Sequence, residues 1–364
     1  MRTSIDLDLG KTDEINARHY AGIFLLSMAT LLLELSLTRV LSVALFYHFG
    51  FLVISTALLG FGVSGVVVTL WTELRERIPL DRALTWSATL FGILTLGCFW
   101  LMGRIPFDPL ALFSDRRQWL FISVYYVVLA TPFFFSGLGL AVLFTRGTRQ
   151  IHYLYAFDLF GAGLGCGALA PIMPAFGGSG SVAVAAAFGL GAAVLFGFSG
   201  TRSGNILRML LCGGTAALAF FANGLLPITV TAAKMLSSSR PLLTAWNTFS
   251  RIDVFEIPAQ PQHNIPAVRR IVYDSGTAVT SIHDMSIGVR EYLSRHKDDA
   301  DYRSGIAYVG KQKPKVLIIG SGAGAQVLDA LHFGAAEITA LIAVAHLQLI
   351  VTKGLDRQRT ILGR

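Results

Sequence analysis

The sequence predicts an α-helical membrane bundle of about seven transmembrane helices. A small β-hairpin region follows, and then the first part of an α/β, Rossmann-like nucleotide-binding domain. Three observations predict this. Of 364 residues, 53% are hydrophobic and only 14% are charged, where a soluble domain carries about 25% charged residues. Apolar runs long enough to cross a bilayer succeed one another through the first 226 residues. Polarity then rises, and close to the end a short apolar run leads straight into glycines and a helix-like segment. The domains read as 1–230 for the membrane helices, 231–310 for the connecting region and 311–364 for the nucleotide-binding segment.

The first nineteen residues carry Asp6, Asp8, Lys11, Asp13, Glu14 and Arg18. The apolar run behind them is too long for a signal peptide and lacks a small-residue cleavage site, so they form a short tail before a true span. The apolar runs lie near 21–43, 50–71, 83–102, 119–144, 153–173, 181–198 and 206–226. A span needs about 20 residues, which makes each run a candidate crossing. Pro132 falls inside the fourth run and should kink it rather than end it.

The net charge of +8 reads first as arginine and lysine on the cytoplasmic face. No basic stripe interleaved with aromatics points to nucleic acid, and the expected surroundings are the lipid bilayer. With the N-terminus inside, the inner segments hold Arg2, Lys11, Arg18, Arg75, Arg77, Arg82, Arg146, Arg149 and Arg202; the outer ones hold Arg104, Arg116 and Arg117. This bias favours an inside N-terminus. Seven spans would then place the C-terminal part outside, where no nucleotide made in the cytoplasm is expected. The span count is the weaker of the two arguments, and the nucleotide-binding segment is expected to be cytoplasmic. Cys98, Cys166 and Cys212 all sit in apolar segments. They show neither metal-ligand spacing nor a disulfide framework and read as buried thiols.

Charges within the apolar runs are costly and tend to face a bundle interior or a cavity. Glu34 and Thr38 share a helix face, whereas Arg39 lies about 140° from Glu34. Together with Asp158 in the fifth run, Glu34 and Arg39 form a candidate intramembrane polar site for a substrate or an ion. The plainer alternative is structural, with Glu34 bonded to a neighbouring helix and Arg39 snorkelling to the interface. Asp158 reads equally as a functional buried carboxylate or as a pairing group. Gly161/Gly165 and Gly163/Gly167 are small residues four apart, which suits close helix contact. For Gly60, Gly62 and Gly65 packing also suffices.

After Pro227, Trp246–Ile257 alternates as a strand should, 258–266 is a turn-rich loop, and Arg270–Ile282 is a second strand interrupted at Asp274-Ser275-Gly276. They predict a hairpin lid or collar. Ser286–His296 looks helical, and 297–301 is charged and solvated. His263, His283 and His296 lack metal-ligand spacing, and no metal is expected. In PKVLIIGSGAG (314–324) the branched run Val316–Ile319 suits a buried parallel strand. Gly320, Ser321, Gly322 and Gly324 follow as a cradle that lets the backbone approach a nucleotide at a helix N-terminus. The G-x-G-x-G spacing is looser than the full dinucleotide fingerprint, and a tight connection would look the same.

Five segments in order carry a resemblance: 31–65 (LLLELSLTRVLSVALFYHFGFLVISTALLGFGVSG), 155–171 (YAFDLFGAGLGCGALAP), 246–256 (WNTFSRIDVFE), 272–276 (VYDSG) and 315–340 (KVLIIGSGAGAQVLDALHFGAAEITA). Together they resemble the membrane-bound relatives of spermidine synthase, over about residues 18–340. The resemblance implies a multi-helix membrane region joined to a class I methyltransferase-type domain. It also implies S-adenosylmethionine or its decarboxylated form as cosubstrate, an amine or polyamine as acceptor, and Gly320, Gly322 and Gly324 beside the nucleoside.

The sequence departs from that family after the second expected strand. Leu341-Ile342-Ala343-Val344 stands where an acidic partner for the ribose belongs, and Tyr302-Arg303-Ser304 keeps only the tyrosine of a Tyr-His-Glu triplet. The segment bearing the catalytic base is missing, and the basic stretch 354–364 suggests truncation or a frame slip. The expectation is a spermidine synthase-like transferase that is incomplete and inactive, with donor binding weak or lost and no catalytic residue assigned. The alternative is a transporter or binding module for a small cation or polyamine, using the intramembrane carboxylates.

Overall fold

The structure is a computed structural model. It describes residues 14–341 apart from 72, 74–76, 199, 232–233, 235–240, 258–267, 277, 283–290, 292–293 and 295–304. The expected 286–296 helix falls largely outside the described residues, as do the 297–301 stretch, Tyr302-Arg303-Ser304, His263, His283, His296 and the sequence after Leu341. The chain divides into two units: Met1–Lys234 with Trp246–Ser250, and Met235–Ala245 with Arg251–Arg364.

The first unit is helical: α1 (Ala17–Ala44), α2 (Gly50–Leu70), α3 (Leu80–Met102), α4 (Arg117–Arg146), α5 (Ile151–Phe196) and α6 (Arg202–Leu225). All six are long and apolar enough to cross a membrane. Large apolar side chains such as Phe51, Leu58, Val66, Trp119 and Phe220 point outward, as helices surrounded by lipid require. Six helices stand where seven runs were expected, because runs 153–173 and 181–198 belong to one 46-residue element. Straight, it would measure about 69 Å against a hydrocarbon core of about 30 Å.

That element is not straight. Gly177 has φ 72° and ψ −175°, outside helical geometry. Gly161 and Gly165 meet α1 at Phe24 and Met28, while Gly191 meets it at Leu25 and Phe196 meets it at Gly22. One half of α5 therefore climbs along α1 and the other half descends. The broken end is satisfied locally. Asn223 Nδ2 of α6 donates to Phe176 O at 2.6 Å, and Ser181 Oγ donates to Gly177 O and Gly178 O, each at 2.9 Å. A polar backbone at membrane depth is tolerated only when satisfied in this way. Pro132 lies inside α4 without ending it.

α1 is the axis of this unit. Ile23, Leu26, Leu32, Leu33, Leu37 and Leu41 are almost wholly buried. Its N-terminal end is fixed by Arg18–Asp81 at 2.7 Å, His19 Nε2–Asp81 at 2.8 Å and Tyr20 OH to Gln150 at 3.1 Å. At the opposite end, Thr231 N–H donates to Ala44 O at 2.9 Å. Lys234, 6% exposed, donates there through Nζ to Ser42 O at 2.7 Å and to Val43 O at 3.2 Å. Of the small-residue pairs, Gly161/Gly165 lies directly on the α1 backbone, whereas Gly163/Gly167 faces open space; Gly60 packs on α4, and Gly62 and Gly65 face outward.

The second unit holds an antiparallel sheet in the order β1 (Leu243–Trp246), β2 (Arg251–Ile257), β3 (Val268–Tyr273) and β4 (Ala278–Ile282). The pairing runs from Ile252↔Tyr273 to Ile257↔Val268 and from Arg269↔Ile282 to Tyr273↔Ala278. Of the expected strand 246–257, Arg251–Ile257 forms β2, while Trp246 is the last residue of β1. Asn247 Oδ1 accepts from the amides of Phe249 and Ser250, each at 2.7 Å, and closes a turn between them; an Asx side chain competes well with strand pairing. The expected break at 274–276 is present, with Asp274, Ser275 and Gly276 all at positive φ. Ile252, Val254 and Ile271 form the small core. Asp253 is also buried, held by Thr244 Oγ1 at 2.6 Å and Arg251 at 3.0 Å.

A separate parallel pair is formed by β5 (Lys315–Ile319) and β6 (Glu337–Leu341), joined through α7 (Ala325–His332). Lys315 lies opposite Glu337 and Ile319 opposite Leu341. This βαβ unit is what positions the glycine turn.

Candidate functional site

The turn between β5 and α7 is shaped by three glycines that an L side chain would strain. Gly320, Gly322 and Gly324 have φ 78°, 55° and 98°, values open to glycine without cost. The amides of Gly320 and Ser321 donate to Leu341 O at 2.9 and 3.2 Å, so the end of β6 braces the turn. Gly324 N–H donates back to Ser321 O at 2.9 Å, and α7 starts at the next residue. Among the described residues no atom lies within 4 Å of where a Cβ would stand on Gly320 or Gly324. Ser321 is 1% exposed, and its hydroxyl finds no hydrogen-bond partner among the described residues. A hydroxyl buried in that way is costly unless something completes it.

Sequence reasoning missed Thr280 of β4. Its side chain lies 3.3 Å from a Cβ built on Gly322, and its Oγ1 accepts from Ala323 N–H at 3.4 Å. Ala323 also packs against the Ile252–Val254–Ile271 core. The antiparallel sheet thus abuts one side of the turn and occupies one of its amides. No local pattern in the sequence marks Thr280, because its role comes from a partner 43 residues away.

Two carboxylates follow the turn within the described residues. Glu337 pairs with Lys315 at 2.7 Å on the surface. Asp329 sits on α7; burial, and then the charge of Asp329, hold the Tyr308 phenol above its usual range. Tyr308 in turn stacks on Phe333 with ring centroids 4.9 Å apart. Neither carboxylate is presented at the glycines as a base. Among the described residues no cluster of three or more His, Cys, Asp or Glu could hold a metal ion.

The expected intramembrane residues do not form one site. Asp158 accepts from Ser27 Oγ at 2.5 Å, joining α5 to α1. Thr30 and Ser136 hydroxyls are 2.5 Å apart, joining α1 to α4. Glu34 accepts from Thr38 Oγ1 only through its backbone carbonyl, at 2.8 Å. Among the described residues its carboxylate has no partner. Ser27, Thr30 and Glu34 recur at helical spacing and form a polar seam on α1, but Ser27 and Glu34 are about 10 Å apart along the axis. Arg39 is turned elsewhere: its Nη1 donates to Phe249 O at 3.0 Å. No protein-family model, curated protein or solved structure matches this chain.

Proposed function

We propose that this chain is a membrane-anchored protein of the spermidine synthase-like kind, in which the β5–turn–α7 segment holds an S-adenosyl donor. The observation that carries the reading is the βαβ unit, whose glycine turn is open at Gly320 and Gly324 and carries an uncompleted Ser321 hydroxyl. S-adenosylmethionine or its decarboxylated form supplies a sulfonium carbon open to attack by an amine. The protein's share is to position donor and acceptor and to take the amine proton. The turn serves the first task. For the second, a free amine with a pKa near 10 needs a carboxylate beside it, and neither Asp329 nor Glu337 is so placed. The reading is therefore donor binding without aminopropyl transfer. Equilibrium binding of both donors to the detergent-purified chain tests it, with methylthioadenosine release followed in the presence of putrescine. Weak binding that Gly322→Val abolishes, with no release, is the expected result. No binding of either donor at millimolar concentration removes the reading.

The membrane path we propose has seven crossings, because the two halves of α5 run in opposite directions along α1. The chain then leaves the helical unit at the end opposite its N-terminus, where Thr231 bonds to Ala44. A donor made in the cytoplasm requires the C-terminal unit on that side, and so an outside N-terminus, against the arginine bias. The sidedness of the N-terminus is a second, independent test of the donor reading.

The seam Ser27–Asp158, Thr30–Ser136 and Glu34 favours a second reading, a binding path for a small cation within the bundle. Vesicle uptake with Asp158→Asn and Glu34→Gln separates the two. Flux lost in folded variants supports the path; flux unchanged, or absent in the parent, removes it.

A further inference from the structure

A cleft of about 410 Å³ opens on the first unit at the N-terminal end of α3, between α3, α4 and the residues that lead from α2 into α3. Its inner wall is apolar and includes Ala83, Leu90, Phe135 and Leu138. Its mouth carries Glu73, Arg77, Arg82 and Trp86. The polar mouth sits at the helix ends. The apolar wall runs inward by two to three helical turns, about 12 Å from the end of α4 to Leu138. Trp86 is 61% exposed one to two turns from the start of α3, and tryptophan favours membrane interfaces.

Among the described residues the charges at the mouth do not cancel. Arg77 is paired with Glu73 at 2.9 Å. Asp81, the acid next to Arg82 in sequence, is taken by Arg18 and His19. Arg82 has no side-chain partner among the described residues. It also lies in the first turn of α3, where the helix dipole disfavours a cation. An external anion at this mouth would gain from Arg82 and from the dipole together.

We propose that this cleft binds one phospholipid with an anionic headgroup, its phosphate at Arg82 and an acyl chain along Ala83, Leu90, Phe135 and Leu138. A free phosphate would use the mouth but not the wall, and an acyl chain alone would use the wall but not the arginine. A lipid uses both.

The test is intact-protein mass spectrometry of the detergent-purified full chain, given equal phosphatidylglycerol and phosphatidylcholine. One headgroup contact to an arginine predicts retention of phosphatidylglycerol over phosphatidylcholine by about fivefold. Arg82→Gln should abolish the preference and Arg82→Lys should keep it. Leu138→Trp should reduce retention of both lipids by filling the wall. Excess glycerol 3-phosphate, which lacks acyl chains, should not displace the lipid. Equal retention of the two lipids overturns the proposal. So does a preference that survives in Arg82→Gln, or displacement by glycerol 3-phosphate. Arg82 is solvent-exposed, so its variants fold, and an unchanged unfolding midpoint confirms that for each.

Discussion

Lys234 shows how a single residue can close a helix. It lies in a polar stretch after the last span, yet it is buried and donates to the final carbonyls of α1, with its ammonium 5.3 Å from the Phe46 ring. A cation at a helix C-terminus satisfies carbonyls that have no intrahelical donor and complements the dipole. Lys234→Met should lower stability by about 1–3 kcal/mol, the cost of buried unsatisfied groups; chemical unfolding in detergent measures it, and a change under about 0.3 kcal/mol would refute the role. Gly165 acts through what it lacks. A Cβ there would run into the Met28 carbonyl, while one on Gly163 meets nothing. Gly165→Leu should therefore cost over about 2 kcal/mol by forcing α5 away from α1. Gly163→Leu, two residues along the same helix, should leave the unfolding midpoint unchanged. Equal effects would mean that both faces, or neither, are packed.

Among the elements, α5 and the β1–β2 connection are each decided by one residue. Gly177 holds a backbone conformation that alanine resists, and Asn223 fills the space its side chain would need. Gly177→Ala should destabilise by about 1–3 kcal/mol through backbone strain and crowding. Its effect should exceed that of Gly224→Ala, a helix position with open space around it. A smaller loss than in the Gly224 variant would show that the reversal tolerates a side chain. In the sheet, Asn247→Ala removes two hydrogen bonds from the turn and should cost about 1–2 kcal/mol. Hydrogen exchange at Ile252 and Val254 reports it; unaltered protection there would remove Asn247 as the device that ends β1.

For the whole molecule, the prediction is topological. If the two opposed halves of α5 cross separately, as proposed above, the number of crossings is odd, and residues before α1 and residues after α6 should face opposite compartments. Single cysteines placed before residue 17 and at Val309, in a background without Cys98, Cys166 and Cys212, should differ in labelling by an impermeant maleimide on intact cells. Labelling of both from one side would mean that α5 crosses once, leaving six crossings. If only the position before residue 17 is protected, the N-terminus is inside and the C-terminal unit is outside, and the S-adenosyl donor reading loses its substrate.

The sequence alone determined the membrane class, because hydrophobic composition and run length depend only on which residues are present. It also determined the strand–turn–helix at 315–332, since a branched run followed by glycines leaves few local conformations. It located the break at 274–276 for the same reason. Tertiary structure decided the rest. Nothing local distinguishes Gly161/Gly165 from Gly163/Gly167; the α1 backbone does, by lying against one face of α5. Nothing local joins Asp158 to Ser27 rather than to Glu34, or brings Thr280 against Gly322, because those contacts are made by residues 131 and 42 positions apart in the chain. The reversal at Gly177 between the two expected spans likewise rests on contacts with α1 and Asn223. A periodicity describes a helix face, and only packing assigns that face a neighbour.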